Sequence, residues 1–128
     1  PQKTPQVLSL IGQVMQHIHS SQVGAQMVRV LVYILKKDAV CAGEVMNLLN
    51  KACCSKDPYI SIAAANACLE VVQENAAYKA AIKPKAFKLA CASISKAISC
   101  PDATLRRLAK RVHKALKNNK HVFGSAAK

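Results

Sequence analysis

"YISIAAANACLEVVQ", residues 59–73, carries apolar or small side chains around a whole helical wheel, broken only by Ser61, Asn66, Glu70 and Gln73. A helix that is apolar nearly all round has to be enclosed by other elements, because no single face could be left to water. No strand pattern competes here or elsewhere in the chain. Residues 59–73 are therefore expected to form the central spine of an all-α domain.

Outward from that spine, apolar residues recur every three or four positions. Val7, Leu8, Ile11, Val14, Met15 and Ile18 mark a first amphipathic helix; Val28, Leu31, Val32 and Leu35 mark a second; Val40, Val45, Leu48, Leu49 and Ala52 mark a third. Beyond the spine, a short turn over 76–82 leads into Phe87, Leu89, Ala90, Ile94 and Ile98. A last stripe follows on Leu105, Leu108, Ala109, Val112 and Leu116. The punctuation agrees. Thr4-Pro5, Asp57-Pro58 and Lys83-Pro84 place proline in a first turn, where its missing N–H costs nothing. Ser21 and Asp38 supply further caps, and Ser99 with Asp102 forms a capping-box-like pair around Pro101. Helices should thus begin near residues 4, 21, 38, 57, 84 and 101.

Helices of about four turns joined by loops of about two to five residues must lie as antiparallel neighbours. The chain of 128 residues, 52% hydrophobic with 4% aromatics and no Trp, suits one domain packed through small side chains. That domain is expected over 1–117, with 118–128 a frayed tail after Asn118-Asn119.

Residues 43–82 carry a further pattern. A helix with Val45, Leu48 and Leu49 is followed by a Ser55-x-Asp57 turn, then by Ile60, Ala64 and Ala67, then by Asn75, Lys79 and Ile82. This stretch resembles an armadillo repeat. The resemblance implies antiparallel hairpins stacked as a short armadillo- or HEAT-like array, with a closed helical bundle as the alternative. In peptide-binding armadillo proteins an asparagine on the third helix of the repeat holds the ligand backbone; this chain has Glu70 there, so that role is not carried over. Lys83-Pro84 also stands where the family continues with glycine.

Charge is the most informative feature for function. Residues 1–75 contain six Lys or Arg against five acids, a net +1, whereas residues 76–128 contain thirteen against Asp102 alone, a net +12. A field of one sign this strong favours an anionic partner. On the last helix Arg106, Lys110, Lys114 and Lys117 recur at helical spacing beside Arg107 and Arg111, opposite the apolar stripe. Lys85 and Lys88 add cations on the preceding helix. These eight residues are the expected partner-binding surface. An acidic or phosphorylated protein segment needs such charges without stacking groups. A nucleic-acid phosphate backbone is the alternative, though Tyr78, Phe87 and Phe123 offer few aromatics nearby.

Catalysis is not indicated. The sequence holds no P-loop, GxGxxG, HExxH or CxxC, and its six carboxylates form no obvious acid–base pair. His17 and His19 have no cysteine close in sequence, and His113 and His121 lie among lysines that would repel a metal ion. No metal or cofactor is expected. The six cysteines sit mostly at apolar helical positions and read as reduced packing thiols, Cys53-Cys54 included. That usage suggests an intracellular setting, cytoplasmic or nuclear. No run approaches the roughly 20 apolar residues of a membrane span, and residues 1–6 do not resemble a secretory leader. The sequence specifies neither a named partner nor an oligomeric state.

Overall fold

A computed structural model describes residues 4–16 and 21–119, with the side chains of residues 4, 5, 14–16 and 21 also left outside the description. The described residues form six α-helices: α1 (Thr4–Gln16), α2 (Ser21–Lys37), α3 (Ala42–Cys53), α4 (Pro58–Glu74), α5 (Pro84–Ala97) and α6 (Ala103–Asn118). Short 3-10 segments, Ala39–Cys41 and Ala76–Ala81, precede α3 and α5. No strand occurs among the described residues, and none of their helices is long and apolar enough to cross a membrane.

The helix starts follow the local chemistry. Asp57 accepts from Tyr59 N at 2.9 Å, and Pro58 occupies the first turn of α4. Asp38 caps the first 3-10 segment through Val40 N at 3.2 Å, and Asn75 caps the second through Ala77 N at 3.0 Å. Two starts shift from expectation. α3 begins at Ala42 because Asp38 caps the 3-10 turn instead, which leaves Val40, expected in the core, 93% exposed. α6 begins at Ala103 because Asp102 is itself the N-cap, accepting from Thr104 N at 3.0 Å and Leu105 N at 3.3 Å. Ser99 and Pro101 precede that cap and lie outside the helix. The capping roles expected of Thr4 and Ser21, and the packing of Val14, Met15 and Ile18, fall outside the described side chains.

α4 is the centre, packed against α2, α3, α5 and α6 at once. Ile60, Ile62, Ala64, Ala65, Cys68 and Val71 are among its buried residues, and only Glu70, Gln73 and Glu74 are exposed. Around it the helices form two layers: α2 and α6 flank α4 in one, while α3 lies between α1 and α5 in the other. The order of 3-10 segment, helix, helix occurs twice, over 39–74 and 76–118. Small residues allow close approach. Gly12 brings α1 onto α3, where a Cβ would stand 3.3 Å from Leu48 Cδ2. Leu89 and Val7, expected in the core, are instead 53% and 43% exposed, each at the edge of its helix's apolar stripe in the layer of α1, α3 and α5.

Among the described residues two polar side chains are buried, Asn50 and Ser61, and both serve backbone groups. Ser61 donates to Cys53 O at 2.8 Å, tying α4 to the end of α3. Asn50 donates to Ala81 O at 2.9 Å and accepts from Lys83 N at 3.0 Å, so a single amide closes the second 3-10 segment onto α3. All six cysteines are free thiols. Cys53 and Cys68 sulfurs lie 3.9 Å apart in the core; that contact and burial push the Cys53 thiol far up, and burial pushes Cys91 up to about 11. Cys53 and Cys68 are buried packing groups of the core.

Replacing Asn50 with Ala orphans a donor and an acceptor, so the urea midpoint should fall by an amount equivalent to about 1–3 kcal/mol. Asn50→Asp should be no better, because it can still accept from Lys83 N but repels the Ala81 carbonyl. An unchanged midpoint for both variants would show that the clamp contributes nothing.

Candidate partner-binding site

The layer of α2, α4 and α6 is concave. A groove of about 1270 Å3 runs over α4 between the two flanking helices, lined by α2 from Gln22 to Lys36, by α4 from Tyr59 to Glu70 and by α6 from Thr104 to Arg111. Ala63 and Ala67 form part of its floor, with Val28, Val32 and Leu108 beside them. Arg29 and Lys36 stand on the α2 wall, Arg107 and Arg111 on the α6 wall. All four cations are exposed. The only acid in the lining is Glu70, which accepts from Asn66 Nδ2 at 3.2 Å.

The eight residues singled out from sequence separate into groups. Arg107 and Arg111 face the groove. Lys110, Lys114 and Lys117 are exposed elsewhere on α6, off the groove lining. Lys85 and Lys88 are exposed on α5, in the other layer, and do not line the groove. Arg106 is engaged within the fold: half-buried, it donates from Nη1 to Cys100 O at 2.9 Å and closes the α5–α6 turn.

Local counting missed Arg29 and Lys36, because they belong to the nearly neutral part of the chain. Their seven-residue spacing puts them on one face of α2, but only the fold sets that face opposite α6.

α6 is fixed at both ends. At its start the Tyr59 hydroxyl donates to Asp102 Oδ2 at 2.8 Å. At its end Asn119 donates to Ala115 O at 2.7 Å and accepts from Gln73 of α4 at 3.1 Å. The Tyr59 bond, together with the amides of Leu105 and Thr104 and the nearby Arg106, holds the Asp102 carboxyl below its ordinary range; the same bond raises the Tyr59 phenol. Asp102 is the lone acid of residues 76–128, and it serves the cap.

No group of three His, Cys, Asp or Glu able to hold a metal ion occurs among the described residues. His113 is exposed on α6, whereas His17, His19 and His121 lie outside the described residues. Comparisons with protein families, with characterised proteins and with solved structures each return no match.

The Asp102 cap gives a pH prediction. A carboxyl whose pKa is lower folded than unfolded contributes stability that is present above the ordinary carboxylate value and is lost as pH falls through the folded value. Tyr59→Phe removes the largest cause of that depression. The Asp102 carboxyl carbon, followed by NMR, should then titrate at higher pH, and the acid limb of the stability profile should become shallower. An unshifted titration midpoint would mean that the hydroxyl does not bear on the cap in solution.

Proposed function

We propose that this chain is a non-enzymatic interaction module, armadillo- or HEAT-like in its stacking of hairpins, that receives an acidic or phosphorylated protein segment on its basic C-terminal surface. The observation that carries the reading is the pairing of Arg107 and Arg111 along a groove wall, with no carboxylate partner of their own among the described residues. Free guanidinium groups one helical turn apart suit carboxylate or phosphate oxygens, to which arginine donates two parallel bonds.

A second argument comes from α6 itself. Arg106 and Lys110, Arg107 and Arg111, and Lys110 and Lys114 are like-charge pairs four residues apart, on a helix that contains no acid. Each such pair costs about 0.2–0.5 kcal/mol. An anion seated along the helix relieves that repulsion, so ligand binding and the stability of α6 are coupled.

Nucleic acid is the second reading, favoured by Lys110, Lys114 and Lys117, which extend the cationic surface beyond the groove. The two separate by salt dependence. Duplex binding loses affinity with a log–log slope of about −0.9 per neutralised phosphate and is indifferent to peptide sequence.

The Arg107→Glu/Arg111→Glu variant should weaken binding of an acidic peptide about ten- to hundredfold by fluorescence anisotropy, the loss expected for charge-assisted bonds. Lys85→Glu/Lys88→Glu, with the same change in net charge, should weaken it far less. Arg106→Ala should lower the thermal midpoint while leaving affinity nearly intact. Equal losses from the α5 and α6 double variants would reduce the surface to a non-specific field, and no loss from either would end the proposal.

A further inference from the structure

The groove combines two features that a purely electrostatic surface does not need: an apolar floor and cations on both walls. Ala63, Ala67, Val32 and Leu108 give the floor its character, while Arg29 and Lys36 face Arg107 and Arg111 across it. From this geometry, and resting on the acidic-segment reading above, we infer that the segment binds as an amphipathic α-helix laid along α4, its apolar stripe on the alanine floor and its acids reaching both walls.

Three lines of argument select a helix. The first is backbone satisfaction. The floor is itself helical, with its N–H and C=O groups paired internally, so an extended chain would find no backbone partners there and would depend on side chains such as Gln22, Gln26 and Thr104 for its amides. The Asn66 amide is already directed to Glu70. A helix brings its backbone bonds with it.

The second is size. The lining on α4 runs from Tyr59 to Glu70, about 16 Å at 1.5 Å per residue, and on α2 from Gln22 to Lys36, about 21 Å. A helix of three to four turns fits that length. Ala63, half-buried on the floor, presents a methyl group where a larger side chain would hold a partner helix away, and Ala67 lies buried one turn on.

The third is charge complementarity. Wall cations at seven-residue spacing on α2 and four-residue spacing on α6 match acids that recur at one- and two-turn intervals on either flank of an apolar stripe.

The test uses two fluorescent peptides of identical composition, about 14 residues and four turns long. One carries leucines at every third or fourth position flanked by glutamates; the other places the leucines at alternate positions, so that no helical face forms. The first should bind at least about tenfold more tightly at equal ionic strength, and its carbon chemical shifts should become helical on binding to the intact chain. Ala63→Phe, which fills the half-buried floor, should weaken the first peptide selectively. Replacing that peptide's leucines with alanine gives the same readout without altering the protein.

Equal affinity for the two peptides, extended-chain shifts in the bound state, or displacement of both by a short DNA duplex at stoichiometric concentration would overturn the inference. Arg107→Glu/Arg111→Glu tells the failures apart. If the two peptides bind equally and both lose affinity in that variant, the helical conformation is wrong while the acidic-segment reading stands. If neither responds, that reading falls with it.

Discussion

Enclosure of α4 on four sides is the constraint from which the rest follows. A helix can accept that many neighbours only if its own side chains are short, and the run from Ala63 to Ala67 supplies the short ones while Ile60, Ile62, Leu69, Val71 and Val72 fill the wider gaps. Burial of this kind contributes about 25 cal/mol per Å2 of apolar surface removed from water, and it is concentrated in one element. The same shortness produces the groove. Between α2 and α6 the floor is alanine, so the flanking helices rise above it and leave a channel where bulkier residues would have made a flat wall.

The sequence made much of this architecture legible, for definable reasons. The spine could be read because a helix apolar nearly all round has one solution, and the caps at Asp57 and Asp38 could be anticipated because Asp before a helical run satisfies orphan amides; the Asn75 cap was not read from the sequence. The short turn over 76–82 appears as a 3-10 segment in the same place. Two boundaries shifted from their expected places. Asp38 serves the 3-10 turn and not α3, and Asp102 displaced the expected start at Pro101. Periodicity also overcounted the core: Val40 and Leu89 fit an apolar spacing, yet spacing alone does not tell which stripe edge meets a neighbour.

The candidate site was legible by halves. Charge counting along the chain found α6 because its cations are dense and local. It could not find Arg29 and Lys36, which are sparse and lie in a nearly neutral stretch; their contribution arises from the stacking of α2 beside α4, a long-range property. Nor could it sort the α6 cations by task. Arg106 and Arg107 are adjacent in sequence, but successive residues on a helix point about 100° apart, so one closes the α5–α6 turn while the other faces the groove.

That division of labour explains how a chain this basic folds without neutralising itself. Asp102 is the one acid of the last third, and the fold places it at the N-terminus of α6, where it caps two amides, complements the helix dipole and receives the Tyr59 hydroxyl. Used there, it anchors the helix and leaves Arg107 and Arg111 without a carboxylate among the described residues. Had the acid lain within α6, four residues from either arginine, it would have offset the repulsion locally and lowered the field in the groove. The arrangement thus secures the scaffold through backbone and cap interactions and leaves the Arg107 and Arg111 charges exposed on the groove wall.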